Sequence, residues 1–351
     1  MQLKRQEKFK RNEELEKLLQ ELNGLLEPVE TELLRVYQEP KYPVVLLVGC
    51  ARSGTTLLMQ WLARTGEFAY PTNFLSRFYT APYIGAKIQQ MLADPKYSFR
   101  DEFTDFGSQI SFESELGKTT GVLAPNEFYY FWRRFFPYGE IQYLDANSLA
   151  WVDVGKFLAE LAALESVFDK PLAMKGLLIN WNIPFVASML PQVLFIYIKR
   201  ETVYNAQSLL AARESFFGDF KTWYSLKPPE YPQLVELNPY QQVVGQVHFT
   251  NLMIRKGLEQ LSTEKWLQVE YEAFCKSPEL VYQQIVSKLA YQGQQISPQY
   301  HGPCRFASTN QVRLSDEHFN ELLEACTAFS AVSYTHLRAH ETVLDLVCRL
   351  L

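Results

Sequence analysis

The sequence predicts a three-layer α/β fold with a central parallel sheet and a P-loop-like phosphate-binding loop, preceded by an amphipathic helix. Short apolar runs of strand length are each followed by a turn and a helical stretch, which is typical of parallel strands joined by crossover helices. The first of these turns is rich in glycine and hydroxyl residues, as phosphate-binding turns are. The predicted strands are Val44–Val48, Pro171–Met174, Val193–Ile198 and Trp266–Val269.

Composition limits the class of protein. The chain of 351 residues is 47% hydrophobic, which is enough to bury the core of one large domain. Its net charge of -5 and its dispersed basic residues give no sign of a nucleic-acid partner or an anionic membrane. No stretch reaches the ~18 to 20 consecutive apolar residues of a transmembrane helix, and the N-terminus lacks the apolar part of a secretion signal. The five scattered cysteines predict neither a disulfide framework nor a metal site, so we expect a cytoplasmic protein.

Three segments are expected along the chain: a helical segment at residues 1–40, the α/β domain at 41–330 and a tail at 331–351. Leucines at three- and four-residue steps over residues 12–38 predict an amphipathic helix, bent near Gly24 and Pro28. We expect this helix to pack on the domain, and the alternative is a homodimer contact. Residues 101–138 are aromatic and charged with poor periodicity, which indicates a substrate-side insertion rather than a core element.

The tail differs in character from the rest of the chain. The string SYTHLRAHET at Ser333–Thr342 resembles the translation of a sequencing adapter, so we expect the natural sequence to be lost beyond about Ala331. On this interpretation His336 and His340 have no function. The alternative is a zinc-binding helix, which requires a third ligand that the sequence does not show.

The glycine-bearing turn follows the first predicted strand. Its sequence, VGCARSGTTLL, predicts a strand, a turn and a helix over Thr55–Thr65, the geometry in which main-chain amides and a helix end bind an anion. Gly49 and Gly54 have the spacing of the Walker loop, but Thr55 stands where that loop requires lysine, and Arg52 supplies the charge instead. Without the lysine and an acidic residue for Mg²⁺, hydrolysis of ATP or GTP is disfavoured.

A second candidate anion site follows the third predicted strand. That strand ends in Arg200, and Ser208 lies eight residues later on the next helix. A guanidinium and a hydroxyl in this arrangement are able to hold one anion, although an arginine after a strand is more often a surface charge. Both candidate sites lie at the carboxyl ends of parallel strands, where ligands bind in such sheets.

The motifs GCARSGTT, R-x7-S and VEYEAFCKSPE together resemble the sulfotransferases that use 3′-phosphoadenosine 5′-phosphosulfate, and the likeness runs from about Tyr42 to Arg313. The resemblance implies that the first loop holds the 5′-phosphosulfate and that Arg200 and Ser208 hold the 3′-phosphate. Arg52 replaces a lysine of many members, and its charge would neutralise the bridging oxygen as the bond to sulfur breaks. The donor-binding residues implied are Arg52, Ser53, Gly54, Thr55, Thr56, Arg200, Ser208 and, in a late loop like that of bacterial members, Arg313.

The resemblance also implies a catalytic centre without a metal. Lys175 corresponds to the family's K-x-P strand end, with Gly176 as a departure, and it either faces the sulfonate or is solvated. Family members use histidine or glutamate as the base that deprotonates the acceptor. We favour Glu127, whose aromatic neighbours would raise its pKa by desolvation, against the alternative of a solvent-facing glutamate on a core helix. Glu115 is the second candidate for the base.

Other charged residues are weaker candidates. Glu113 is a further carboxylate of the same segment, and His248 and His301 are histidines for which a structural role is favoured. Arg133 and Arg134 either orient the acceptor or lie on the surface.

The acceptor class stays open, because aromatic rings suit a carbohydrate, a lipid headgroup or another small molecule. Two competing functions also stay open. One is a kinase or other nucleotide phosphotransferase, and the other is a non-catalytic nucleotide-binding scaffold of the same fold.

Overall fold

A four-stranded parallel sheet forms the centre of the protein. The computed structural model describes residues 5–336, apart from 101, 104, 105 and 107–109. The sheet has the order β2-β1-β3-β4, and all neighbouring strands are parallel. Its strands are β1 (Val44–Val48), β2 (Ala173–Lys175), β3 (Val193–Lys199) and β4 (Trp266–Glu270). The four predicted strands are therefore confirmed, with ends that differ by one or two residues.

Helices cover both faces of the sheet, which makes the three layers. Consecutive residues of β1 show this, because Leu46 packs into one hydrophobic cluster and Leu47 into another. Since both faces are buried, the strand is apolar throughout, as in other parallel sheets. The helices are α1 (Glu13–Leu33), α2 (Thr55–Thr65), α3 (Pro82–Ala93), α4 (Tyr129–Phe135), α5 (Ala146–Leu149), α6 (Val154–Phe168), α7 (Ile183–Met189), α8 (Thr202–Phe217), α9 (Tyr231–Leu234), α10 (Pro239–Leu258), α11 (Tyr271–Lys276), α12 (Pro278–Tyr291) and α13 (Asp316–His336).

The predicted N-terminal helix is α1, which continues through Gly24 and Pro28. Two of its polar side chains are buried and hold it against the domain. The Glu30 carboxylate accepts hydrogen bonds from the amides of Tyr83 and Ile84 at 2.7 and 3.0 Å, at the start of α3. The Asn23 amide donates to a main-chain carbonyl at 2.7 Å and accepts from a main-chain amide at 2.9 Å. The helix packs on the domain as expected, and the homodimer alternative stays a prediction.

The aromatic segment is part of the core in its second half. Phe128, Phe131, Trp132, Phe135 and Phe136 are all buried in the largest cluster on one face of the sheet. The expectation that residues 101–138 lie outside the core is therefore wrong for the part that contains α4. The error arises because α4 is only seven residues long, too short for helical periodicity to be recognised.

The C-terminal helix α13 runs to His336, past the point where the natural sequence was expected to end. His340 and the rest of the tail from residue 337 lie outside the described residues. The adapter interpretation and the zinc alternative therefore stay predictions. Within residues 5–336, apart from the gaps stated above, none of the helices is long and apolar enough to cross a membrane.

Arg134 has a structural role that the sequence did not predict. Its guanidinium forms an ion pair with Glu160, whose side chain is fully buried. It also stacks over the ring of Phe135 at 4.6 Å. Burial raises the pKa of the Glu160 carboxyl to about 7, although the charge of Arg134 opposes this. Both alternatives for Arg134, acceptor binding and surface exposure, are contradicted by this pairing.

We predict that Glu160 makes the protein less stable as pH rises from about 5 to 7.5. The carboxyl has an ordinary pKa of 4.5 and a folded pKa of about 7, so in this window the folded state holds a proton that the unfolded state has lost. The stabilisation is complete below pH 4.5 and falls by up to about 1.4 kcal/mol per pH unit above it. In Glu160→Gln, the free energy of unfolding in urea will depend less on pH. Glu259→Gln, an exposed control at the residue that follows α10, will keep the wild-type slope, and an unchanged slope in Glu160→Gln would contradict the assignment.

Candidate functional site

The glycine-bearing loop connects β1 to α2, and it packs closely against β3 and against Tyr271 at the start of α11. A Cβ atom at Gly49 would lie 2.7 Å from the carbonyl oxygen of Ile198 in β3. A Cβ atom at Gly54 would lie 2.5 Å from the ring of Tyr271, and its φ of +103° is also unfavourable for other residues. Both positions therefore require glycine for steric reasons.

Two asparagines fix the main chain of the loop. The Asn180 amide donates to the Gly49 carbonyl at 2.9 Å and accepts from the Gly49 amide at 3.3 Å. The Asn205 amide donates to the Ala51 carbonyl at 2.7 Å. Helix α2 begins at Thr55 without a side-chain cap, so the first amides and the positive end of the helix are available to a ligand. This is an anion-binding geometry.

A cavity of about 570 Å³ lies against this loop. Its walls come from the loop, from α8, from the segment before α4 and from the residues that precede α13. The side chains that carry charge or a hydroxyl group are Arg52, Thr55, Thr56, Glu113, Ser114, Arg200, Tyr204, Ser208, Tyr271, Thr309 and Arg313.

The two predicted anion sites meet in this cavity. Arg52 Nε donates to Ser208 Oγ at 3.1 Å, and Arg200 Nη1 donates to the carbonyl oxygen of Arg52 at 3.2 Å. The Arg200 guanidinium is oriented by Thr309, whose carbonyl it reaches at 3.1 Å, and by the Tyr271 ring, whose centroid lies at 4.9 Å. The structure therefore joins the first loop, the end of β3 and α8 around one space.

Three guanidinium groups line the cavity without a carboxylate partner. Arg313 is placed by its amide, which donates to Gln207 Oε1 at 2.9 Å. Burial lowers the pKa of Arg52 and of Arg200, and the charge of Arg313 lowers both further, although the charges of Glu127 on Arg52 and of Glu272 on Arg200 act to raise them. In the part of the chain that the structure describes, no carboxylate lies within ion-pair distance of any of the three. Arg200 is buried and Arg52 is half-buried, whereas Arg313 is exposed. Because unpaired cations are costly to bury, Arg200 and Arg52 in particular favour a ligand that carries negative charge.

Lys175 and Glu127 form a second charged group beside the loop. Lys175 Nζ donates to Thr56 Oγ1 at 2.8 Å and to Glu127 Oε1 at 2.9 Å. The Lys175 side chain is only 3% exposed, whereas that of Glu127 is 41% exposed. The alternative of a solvated Lys175 is therefore wrong, and the lysine connects the loop to the carboxylate favoured as a base.

The environment of Glu127 shifts its pKa in the direction opposite to the prediction. Desolvation does act to raise the pKa, but the charges of Lys175, Lys118 and Arg52 together outweigh it and hold the pKa below its usual value. Glu127 lies in the loop before α4 and not on a core helix. It is therefore an ionised carboxylate at neutral pH, near three cations and partly open to solvent.

Several other predicted residues lie elsewhere. The Ser53 side chain is fully buried behind the loop, and it is not part of the cavity wall. The Glu115 carboxylate pairs with Lys8, whereas Glu113 does line the cavity. Arg133 is bound to its own helix and turn, where Nη2 donates to the Tyr138 carbonyl at 2.9 Å.

The two histidines considered as bases are not among the residues of the cavity wall. His248 lies on α10, with its ring against Phe249 at 5.0 Å, and His301 is exposed in a loop. For the described ranges, there is no group of three or more histidine, cysteine, aspartate or glutamate side chains that could hold a metal ion.

Sequence reasoning missed Tyr271 and Thr309 as parts of the site. The Tyr271 hydroxyl lies 3.1 Å from Thr309 Oγ1 and accepts from the Thr309 amide at 3.2 Å. Tyr271 follows β4 directly, so its position at a strand end was the available signal. Thr309 lies in the late loop that resembles that of bacterial members, but only Arg313 of that loop was singled out, and the folded chain brings Thr309 to Arg200.

Comparison with known proteins assigns the chain to a family. The family model described as the sulfotransferase family matches residues 43–293. No curated protein matches the sequence significantly.

Solved structures of sulfotransferases are similar to this one. A sulfotransferase from Mycobacterium avium is 13% identical, with a TM-score of 0.43, and the match covers 72% of this chain and 64% of that protein, less than two thirds of its length. The sulfotransferase domain of the Synechococcus PCC 7002 olefin synthase is 14% identical, with a TM-score of 0.41 and coverage of 84% and 96%. A sulfotransferase from Mycobacterium tuberculosis H37Rv is 11% identical, with a TM-score of 0.46 and coverage of 88% and 76%.

We predict that Gly54→Ala will destabilise the protein, because the new Cβ meets the Tyr271 ring at 2.5 Å and the backbone keeps a positive φ. The left-handed conformation alone costs alanine about 1–2 kcal/mol. Chemical denaturation will measure the loss. Gly24→Ala in α1 is the matched control, since nothing lies within 4 Å of its Cβ position, and it will stabilise the helix by roughly 0.5–1 kcal/mol. Equal stability of the two variants would contradict the steric argument.

Proposed function

The chain belongs to the sulfotransferase family, whose model spans residues 43–293, and on this premise we propose that it transfers a sulfuryl group from 3′-phosphoadenosine 5′-phosphosulfate to a hydroxyl or amine. The observation that supports this donor is the set of unpaired guanidinium groups of Arg52, Arg200 and Arg313 around one cavity. The donor carries negative charge at both its 5′ and 3′ positions, so it supplies the anions that these groups lack. The cavity of about 570 Å³ is within the usual range for small-molecule sites.

The family resemblance suggests how the donor is oriented. In this proposal the 5′-phosphosulfate lies against the amides of Thr55 and Thr56 and the guanidinium of Arg52. The 3′-phosphate is bound by Arg200 and Ser208. Ser208 already accepts a hydrogen bond from Arg52 at 3.1 Å, so one ligand would contact both groups. Ser53 contributes its main chain only, because its side chain is buried.

The reaction requires an acceptor oxygen or nitrogen to attack sulfur as the bond from sulfur to the bridging oxygen breaks. The sulfuryl group forms its new bond to the acceptor, and the bridging oxygen keeps the electron pair and leaves with adenosine 3′,5′-bisphosphate. Arg52 and the positive end of α2 stabilise the charge on this leaving group. Lys175 lies between Thr56 and Glu127, where its charge faces the transferred group.

Glu127 is the proposed base that accepts the proton of the acceptor. Its exposure of 41% leaves room for an acceptor, and its lowered pKa keeps it ionised at neutral pH. A base with a low pKa is a weak proton acceptor, so it acts late, when the acceptor oxygen has begun to bond to sulfur and has become acidic. The acceptor is a carbohydrate, a lipid or another small molecule, and the proposed location remains the cytoplasm.

We predict that adenosine 3′,5′-bisphosphate will raise the melting temperature of the protein, and that ATP with Mg²⁺ will do so much less. Arg200→Met will weaken bisphosphate binding by about 30-fold or more, because it removes a buried charge from the 3′-phosphate. Arg255→Met on α10 is the control, since the Arg255 guanidinium is exposed and pairs with Glu259. Stabilisation by ATP with Mg²⁺ and none by the bisphosphate would support the kinase alternative instead.

We predict that Glu127→Gln will lower kcat by about 10²- to 10⁴-fold, the usual contribution of a general base, without weakening bisphosphate binding. Transfer of labelled sulfate from the donor to a panel of acceptors will measure this loss. Because the pKa of Glu127 lies below its usual value in the empty site, the wild-type kcat/KM, which reports the free enzyme, will decline with falling pH only in the acidic range.

Two controls make this prediction specific. Glu140→Gln, at an exposed carboxylate paired with Lys227, will keep the wild-type rate. A loss in Glu115→Gln equal to that expected of Glu127→Gln would move the base to the second candidate. Bisphosphate binding without transfer to any acceptor would favour the scaffold alternative.

A further inference from the structure

The N-terminal segment before α1 contacts a short turn, Glu115–Lys118, which lies next to the glycine-bearing loop. We propose that residues Gln6–Phe9 latch this turn over the glycine-bearing loop, and that release of the latch opens the acceptor side of the site. This inference rests on the proposed function, because it places the acceptor beside the sulfuryl group that Thr56 and Arg52 would hold.

The turn occupies the space directly in front of the loop. Glu115 and Lys118 exchange two main-chain hydrogen bonds of 2.9 and 2.8 Å. At the tip of the turn, a Cβ atom on Gly117 would lie 3.5 Å from Thr56 Oγ1 and 3.6 Å from Arg52 Nη1. Thr56 Oγ1 in turn accepts a hydrogen bond from Lys175. The tip therefore fills the approach to the group that the acceptor must reach.

The first arm of the latch is electrostatic. Lys8 forms an ion pair with the Glu115 carboxylate, across more than a hundred residues of sequence. Both side chains are more than half exposed, at 65% and 58%. Exposed pairs contribute about 0–1 kcal/mol and are screened by salt. The arm is therefore weak enough to open reversibly.

The second arm is aromatic and holds the opposite side of the turn. The Phe9 ring stacks on Phe216 with centroids 4.0 Å apart, and the Gln6 amide donates to the Phe216 carbonyl at 2.8 Å. Phe216 packs against Tyr224 with centroids 5.0 Å apart. The Tyr224 hydroxyl donates to the Leu116 carbonyl at 3.4 Å. The N-terminal segment thus contacts two successive residues of the turn, one directly and one through Phe216 and Tyr224.

Both arms lie outside the proposed donor-binding residues. Lys8 and Phe9 do not line the cavity, so changing them leaves the guanidinium groups in place. This separation allows the latch to be tested in the full-length chain, with donor-product binding as an independent readout.

The test combines hydrogen–deuterium exchange with donor hydrolysis. Lys8→Glu places two negative charges together, and we expect it to speed amide exchange in residues 115–118 by about two- to fivefold, in line with the strength of an exposed ion pair. The charge-swapped pair Lys8→Glu with Glu115→Lys will restore wild-type exchange. Lys10→Glu is the matched control, because Lys10 pairs with Glu7 and not with the turn.

Hydrolysis shows whether the turn restricts access. Transfer of the sulfuryl group from the donor to water forms a bond between the water oxygen and sulfur, breaks the bond to the bridging oxygen and releases sulfate and adenosine 3′,5′-bisphosphate. We expect this rate to rise in Lys8→Glu by the same factor as the exchange rate. Unchanged exchange, or faster exchange without faster hydrolysis, would overturn the latch.

The same samples separate failure of the latch from failure of the proposed function. If the bisphosphate raises the melting temperature of every variant while exchange in the turn stays constant, the latch is wrong and the donor assignment stands. If the bisphosphate stabilises neither the wild type nor the variants, the donor assignment itself fails.

Discussion

The mutual repulsion of Arg52, Arg200 and Arg313 is the constraint on which the rest of the site depends. Their hydrogen-bond donors are partly satisfied, since Arg200 reaches the carbonyls of Arg52 and Thr309 and Arg52 reaches Ser208. These neutral partners offset the desolvation of the donors but leave the three charges unneutralised. A carboxylate at this place would stabilise the protein without ligand and compete with an anionic ligand. Glu113 does line the cavity, but no carboxylate of the described residues lies within ion-pair distance of the three groups. This is the physical basis of the proposed donor.

The sheet order brings these groups together. In the order β2-β1-β3-β4, the chain leaves β1 toward one edge and β3 toward the other, so the loop after β1 and Arg200 after β3 lie side by side. Crevices at such switch points are where open parallel sheets bind ligands. Asn180 and Asn205 then fix the main chain of the loop from two sides. The fold therefore positions the charges before any ligand arrives.

The strands, helix α2 and the meeting of Arg52 with Arg200 and Ser208 were predictable from the sequence. Each depends on a local pattern or on the rule that the carboxyl ends of parallel strands share one edge. The direction of the pKa shift of Glu127 was not predictable, because it depends on Lys175 in β2 and Lys118 in a turn.

The same limit applies to residues whose partners are distant in sequence. The pairing of Arg134 with Glu160 and the inward orientation of Ser53 are set by tertiary neighbours that no local pattern encodes. The sequence indicated Arg52, Arg200 and Arg313 as candidates, and the folded chain places all three on the wall of one cavity.

The cations that hold down the pKa of Glu127 are the same ones that an anionic donor attracts. Lys175 and Arg52 both lower that pKa. Arg52 lines the cavity, and Lys175 donates a hydrogen bond to Thr56 on the cavity wall. A bound donor shares their charge and adds negative charge of its own near the carboxylate, and both effects raise the pKa of Glu127. In the proposed reaction Glu127 consequently becomes a stronger base when the donor is in place than while the site is empty. The ion pair between Lys175 and Glu127 would therefore couple donor binding to base strength, without any movement of the main chain.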